Sequence, residues 1–256
     1  MSKISVVIPA YNEEARLPAT LASVFDYLQK KGADFEILVV DDGSVDGTAD
    51  FVRRFSSGNQ SERGSVEVLT YGQNKGKGYA VRTGMLAATG DYIVYNDADG
   101  SSPIEEIEKL IASMDEGSDI AFGSRAKPDE SRFVDALAYR KYMGNTFNLI
   151  VQALILPGIH DTQCGFKMFS REAARDIFSV AQENGFAFDV EILYIARLRH
   201  YRMEEVPINW ANVDGSKVNV LVDSPKMLLQ VLKMSLGAFT GKYKRVEAKV
   251  FEKRMP

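Results

Sequence analysis

Short β-branched apolar runs alternate, through the first half of the chain, with segments whose apolar residues recur every three or four positions. Ile4 to Ile8 is the first run, and Leu17, Leu21, Val24, Phe25 and Leu28 then fall at helical spacing. Glu36 to Val40 predicts a second strand. Asp46 predicts an N-cap for a helix carrying Ala49, Val52 and Phe55. Val66 to Tyr71, Asp91 to Tyr95 and Asp119 to Phe122 predict three more strands. Between them, Gly76 to Ala88 predicts a helix with Ala80, Val81, Gly84 and Met85 inward. Ser102-Pro103 opens another, with Ile104, Ile107, Ile111 and Met114 inward. Strands and helices alternating at this spacing make βαβ units, hence an α/β fold with a mostly parallel sheet.

The second half is less regular. Residues 128–160 read as a loop and a long helix, Phe166 to Phe169 as a strand, and Met203 to Trp210 as another. Ser170 and the stretch Phe188 to Arg199 begin and span helices. Residues 225–239 predict an amphipathic helix with Met227, Leu228, Val231, Leu232 and Leu236 on its apolar face. No repeat and no Pro, Gly or Ser-rich linker divides the chain. One domain is expected over 1–240, in halves 1–125 and 126–240, followed by a basic tail, 241–256. That tail carries Lys242, Lys244, Arg245, Lys249, Lys253 and Arg254.

Composition removes several classes. At 256 residues, with 45% hydrophobic and 26% charged, the chain sits near the globular average, which excludes wholesale disorder, collagen and coiled coil. The 31 basic and 35 acidic residues leave a net charge of −4 and no overall footprint for nucleic acid. Cys164 is the single cysteine, so no internal disulfide forms. No apolar stretch reaches the roughly 20 residues of a membrane span. The longest, Leu149 to Leu156, is interrupted by Gln152 and closed by Pro157. The N-terminus lacks the apolar length of a signal peptide. We expect a cytoplasmic chain, free to touch a membrane peripherally from that side.

Four polar clusters follow four predicted strands: Pro9-Ala10-Tyr11-Asn12-Glu13-Glu14, Asp41-Asp42-Gly43-Ser44, Gly72-Gln73-Asn74-Lys75-Gly76-Lys77-Gly78 and Asn96-Asp97-Ala98-Asp99-Gly100. Ligands of an open parallel sheet bind beyond the strand C-termini, so the four converge on one site. Asp97 and Asp99, one residue apart, repel unless a cation lies between them. Mg²⁺ or Mn²⁺ would take both and complete its shell with phosphate oxygens and water. Asp41 and Asp42 suit the hydroxyls or base N–H of a nucleoside. No GxGxxG follows the first strand and no P-loop occurs anywhere. His160 and His200 stand in neither a GxSxG elbow nor an HExxH pair, and read as structural.

Val-Val-Ile-Pro-Ala-Tyr-Asn-Glu-Glu, Val-Asp-Asp-Gly-Ser and Asp-Ala-Asp-Gly resemble the inverting, metal-dependent glycosyltransferases of family 2, which have the GT-A fold. Further segments resemble the dolichyl-phosphate β-glucosyltransferase branch of that family. They are Asn74 to Gly78, Gly123-Ser124-Arg125, Asp161 to Lys167, and Trp210 with Gly215-Ser216-Lys217. The resemblance implies a Rossmann-like nucleotide-sugar half and a C-terminal acceptor-side extension. It implies glucose passing from UDP-glucose to a polyprenyl or dolichyl monophosphate. Pro9, Tyr11, Glu13, Asp41, Asp42, Lys75 and Asp97 would bind the donor. Asp97 and Asp99 would hold the metal. Arg125, Arg140, Lys167 and Lys217 would meet the acceptor phosphate, with Arg125 and Arg140 counted among the catalytic residues. Eukaryotic members of that branch usually carry an N-terminal membrane anchor, which this chain is expected to do without. Asp189 and Glu191 fall on the acceptor side or cap a helix. Phe147, Leu149, Ile150, Leu154, Ile155 and Leu156 are expected to line a membrane-resting face, with a core helix as the rival. GDP-mannose as donor, a soluble or polysaccharide acceptor, and a nucleotide-sugar-binding module without turnover stay open.

Overall fold

Strands buried on both faces need continuous apolar runs rather than alternation, and the two most regular runs meet that need over their whole length. β1 (Ile4–Ala10) and β2 (Phe35–Asp41) are buried at every residue. The computed structural model describes residues 2–59, 61–129, 133–135, 138–213, 220–239, 241 and 243, with side chains at all of these except 135, 138–143, 145, 220–224 and 238–239.

The first half forms α1 (Leu17–Lys31), α2 (Thr48–Gly58), β3 (Gly64–Thr70), α3 (Lys77–Ala87), β4 (Tyr92–Asn96), α4 (Ile107–Asp115) and β5 (Ile120–Ser124). A single 3₁₀ turn, Ile104–Glu106, stands between Pro103 and α4, where the pattern predicts uninterrupted helix. Asp46 lies one residue outside α2's N-cap, which is Gly47. Its carboxylate still accepts from the Thr48 amide at 3.0 Å.

The second half adds β6 (Val134–Asp135), α5 (Ala138–Leu154), β7 (Phe166–Ser170), α6 (Arg171–Phe178), α7 (Phe188–Leu198), β8 (Met203–Pro207), β9 (Trp210–Ala211) and α8 (Val220–Phe239). Ser170 caps α6, its hydroxyl accepting from the Ala173 amide. The run Met203 to Trp210, expected as one strand, is two. β8 stays in the main sheet to Pro207, and β9 leaves it to pair with β6.

The main sheet has the order β3-β2-β1-β4-β7-β5-β8, so strands from both halves share it. Every pairing is parallel except those of β7, which runs antiparallel to β4 and β5. Ala10, Asp41 and Thr70 lie in register, which brings the loops after β1, β2 and β3 to one edge. β1 sits between β2 and β4. Its following loop therefore parts from the loop after β4 at a topological switch point, where such sheets open a crevice. Because β7 is reversed, Phe166 pairs with Asn96 and the segment before β7 arrives at the same mouth.

Two apolar cores cover the faces. Leu21, Phe25, Phe35, Val52 and Leu110 pack under α1, α2 and α4. Tyr95, Phe169, Phe178 and Phe188 pack under α3, α6 and α7. α5 and α8 pack on each other and close the second core with Phe147, Val151, Met227, Val231 and Met234. This corrects two expectations. Phe147, Ile155 and Leu156 are core and cannot rest on a membrane, whereas Leu149 and Leu154 are exposed. On α8, Leu232 and Leu236 face solvent beside Leu229, because Met227, Val231 and Met234 form the buried stripe. Among the described residues, no helix is long and apolar enough to cross a membrane.

Candidate active site

Side-chain to backbone bonds tie the loops beyond β1, β2 and β3 together. The Asp42 carboxylate accepts from the Lys75 amide at 2.7 Å and the Gly76 amide at 2.9 Å. Gly76 meets it with φ +100°, a conformation that side chains resist, and its missing Cβ would lie 2.4 Å from the Asn184 carbonyl oxygen. Asp41 Oδ1 accepts from the Ser44 amide at 3.1 Å, and Ser44 Oγ accepts from the Asn12 amide at 2.8 Å. The Glu13 carboxylate is gripped by Arg16, with Nη2 at 2.6 Å. Pro9 is buried within β1 and Tyr11 is half-buried at the head of the next loop. Lys75 is exposed, its ammonium 4.5 Å from the ring centre of Tyr79 and 5.2 Å from that of Tyr71. Asp42 departs from expectation: buried, with both oxygens taken by backbone donors, it builds the loop and offers no free edge to a nucleoside.

Asp97 and Asp99 stand at the mouth just past β4. The Asp97 amide donates to the Gly165 carbonyl at 3.2 Å, which fixes the loop from Asp161 to Gly165 against the acidic pair. An added Cβ at Gly165 would fall 2.1 Å from Asp97 Oδ2, so this position admits no side chain. Lys77 Nζ lies 2.6 Å from Asp97 Oδ1. Asp99 Oδ1 accepts from the Ser101 amide at 3.0 Å. Burial holds the Asp97 carboxyl above the usual carboxylate range. Lys77 pulls it down, but the charge of Asp99 pushes the same way as burial. Two carboxylates thus stand against a single ammonium, and Lys77 can pair with only one of them. Two such carboxylates fit a hard divalent ion that draws its other ligands from phosphate and water. Among the described residues, no group of three or more His, Cys, Asp or Glu forms a self-sufficient metal site.

Beneath the acids lies a buried charge network. Lys167 is fully buried, its Nζ 2.5 Å from Asp189 Oδ1 and 2.7 Å from the Cys164 carbonyl. Tyr95 also donates to Asp189. Lys167 was expected to meet the acceptor. Its ammonium is instead enclosed, because an unpaired cation there would be too costly to desolvate, and it braces the floor of the site. Burial pushes the Cys164 thiol up to about 12, so it is no nucleophile.

Arg125, just past β5, is held on three sides. Nε and Nη2 donate to Asp161 at 2.7 and 3.0 Å, its amide donates to Asp161 Oδ2 at 2.9 Å, and its guanidinium lies 5.3 Å from the Trp210 ring centre. Burial opposes the charge, yet Asp161 keeps Arg125 more firmly protonated than a free guanidinium. The same contact overrides burial at Asp161 and brings it down to about 2. Glu205 Oε1 in turn accepts from the Asp161 amide at 2.8 Å and from Ser124 Oγ at 2.7 Å. Glu205 also takes the His160 amide and ring nitrogen. A third of the Arg125 side chain stays open to solvent. The side chain of Arg140, on α5, and the whole of Lys217 lie outside the described residues. A cleft of about 340 Å³ runs beside Asp99, between α1 and the loop after β4, lined by Arg16, Thr20, Asn96, Pro103 and Val213.

Lys77, Asp161 and Glu205 were not singled out from the sequence. The first two stand inside quoted motifs, but pairing partners 20 and 36 residues distant leave no local signal. Glu205 lies among charged neighbours in an edge strand, and nothing in its spacing marks it as the buried one.

A switch-point crevice with an acidic pair past β4 and a clamped arginine past β5 is the architecture of a GT-A glycosyltransferase. The chain belongs to glycosyl transferase family 2, whose profile matches residues 5–178. It is 37% identical over 256 residues to the dolichyl-phosphate β-glucosyltransferase of Dictyostelium discoideum, covering 94% of this chain and 76% of that one. To the human enzyme of that name it is 35% identical over 253 residues, covering 94% and 78%. Among solved structures, glucosyl-3-phosphoglycerate synthase from Mycobacterium tuberculosis bound to UDP superposes with a TM-score of 0.67 at 22% identity, over 91% of this chain and 80% of that one. The same enzyme with Mn²⁺, UDP and its glucosylated product gives 0.65 at 22%, over 93% and 79%. These structural likenesses carry the fold.

Proposed function

We propose that the chain transfers glucose from UDP-glucose to a polyprenyl or dolichyl monophosphate, with inversion, at a membrane surface. The acceptor class rests on one observation. Asp161 and Asp189, the carboxylates behind Asp97, are both committed to cations, while Arg125 is clamped with one flank open. A sugar hydroxyl needs a carboxylate to take its proton. A phosphate monoester is ionised at neutral pH and needs a cation to place it.

The loops after β1 and β2, with Pro9, Tyr11, Glu13 and Asp41, cradle the uridine, and Lys75 closes its edge. Asp97 and Asp99 would hold Mg²⁺ or Mn²⁺, and the ion would neutralise the charge developing on the departing nucleoside diphosphate. Arg125 binds the acceptor phosphate, and Arg140 and Lys217 are kept as further candidates for it. An acceptor oxygen then bonds to the sugar's C1 as the bond from C1 to the diphosphate breaks on the opposite face. No side chain moves a proton, and catalysis is positioning and charge stabilisation. Exposed Leu149 and Leu154 on α5, with Leu229, Leu232 and Leu236 on α8, meet the lipid surface from which the acceptor comes.

The test is a matrix of donors and acceptors: UDP-glucose, GDP-mannose and UDP-N-acetylglucosamine, each against a short polyprenyl phosphate and a panel of soluble sugars. Label from UDP-glucose is expected in the lipid phosphate. Label from GDP-mannose alone overturns the donor, label in a soluble sugar alone overturns the acceptor, and UDP binding without any transfer overturns turnover.

A further inference from the structure

Lys77 has no part in the reaction so far described, yet it holds the most contested oxygen in the site. It opens α3, and its ammonium lies 2.6 Å from Asp97 Oδ1 with about a quarter of its side chain exposed. Asp189 and Asp99 attract it as well. Asp189 already has Lys167 and Tyr95, so Asp97 is the partner that Lys77 serves. An ammonium and a divalent ion cannot share that carboxylate without close like-charge repulsion, which is only weakly screened in a half-buried site. Lysine is suited to yielding, being a point charge on a flexible stem of four carbons.

We propose that Lys77 is a resident counter-ion of Asp97, displaced only when a divalent ion and a nucleoside diphosphate arrive together. Lys77 cancels one of the pair's two negative charges, so a bare divalent ion finds a weak site with two protein ligands and a competing cation. The diphosphate reverses this by ligating the ion and giving the displaced ammonium a new anionic partner. Lys77 thereby couples the two ligands, each tightening the other by the same factor. The inference rests on the assignment of Asp97 and Asp99 as metal ligands.

The experiment titrates Mn²⁺ into wild type, Lys77→Met, Lys77→Gln, Lys77→Arg and Asp97→Asn. Free ion is followed by electron paramagnetic resonance with and without saturating UDP, and folding by thermal melting. Wild type is expected to bind Mn²⁺ about tenfold or more tightly with UDP than without, within the usual range of coupling between sites. Lys77→Met should bind bare Mn²⁺ several-fold more tightly than wild type and lose most of the effect of UDP. Lys77→Gln should do the same if Lys77→Met does not fold, and Lys77→Arg should restore the wild-type pattern. A folded Met or Gln variant whose bare Mn²⁺ affinity is unchanged or weaker overturns the counter-ion role alone. Asp97→Asn binding Mn²⁺ as well as wild type overturns the metal assignment, and this inference with it.

Discussion

Asp97 keeps its place because residue 165 has no side chain. A methyl group at Gly165 would sit inside the Asp97 carboxylate, so Gly165→Ala must turn that carboxylate or move the loop that follows Asp161. Displacement of about 1 Å at a reacting centre costs on the order of 100-fold in rate. We expect Gly165→Ala to lower kcat by about that much with little change in the melting temperature, measured by label transfer and calorimetry. Asp97→Asn and Asp99→Asn keep the shape and remove the charge. Each should abolish turnover at any Mg²⁺ or Mn²⁺ concentration that wild type uses, and full activity in either would remove the metal from the reaction. The acids and the glycine were legible in the sequence as motifs. That they touch was not, because 68 positions separate residues 97 and 165 and only the folded register brings them together.

The elements themselves were the most readable part. Each of the five strands of the first half was legible to within two residues, since four are buried almost throughout and announce themselves as apolar runs, and the partly exposed edge strand β3 still carries Val66, Val68 and Leu69. The direction of β7 was not legible, because periodicity reports facing and not orientation, and it is this reversal that delivers Asp161 to Arg125. The resulting clamp has a pH signature. Asp161 is lower in the folded chain, about 2, than in an unfolded one, near 3.9. Its contribution is therefore present in full above about pH 4 and lost as pH falls toward 2, on the order of 2 kcal/mol at neutral pH. Asp161→Asn should lower stability at pH 7, and its urea midpoint should fall less steeply than that of wild type between pH 4 and 2. Equal slopes would place the shift elsewhere. Arg125→Ala should raise KM for the lipid phosphate and lower kcat with UDP affinity kept. Loss of UDP binding to the same degree would move Arg125 to the donor side.

At the scale of the whole molecule, most of the large apolar side chains exposed among the described residues lie on two helices. Leu149 and Leu154 on α5 and Leu229, Leu232 and Leu236 on α8 are exposed on two helices that pack together, with Lys226 and Lys233 exposed on α8 as well. Periodicity alone misassigned two of these leucines. A helix with apolar residues on more than one stripe can seat either on the core, and Met227, Val231 and Met234 fill that space without Leu232 and Leu236. Full burial of one leucine is worth about 1.5–3 kcal/mol. Three leucines partly sunk into a bilayer, with two lysines above anionic headgroups at up to about 1 kcal/mol each, suffice for reversible attachment. The variant Leu229→Gln, Leu232→Gln, Leu236→Gln should bind anionic vesicles at least about tenfold more weakly in cosedimentation. Its KM for acceptor in those vesicles should rise while transfer to a short, water-soluble prenyl phosphate stays at the wild-type rate, because the Arg125 clamp and the acidic pair are untouched. Vesicle binding equal to wild type would free this face from the membrane, and a matching fall with the soluble acceptor would mean that α8 shapes the site itself.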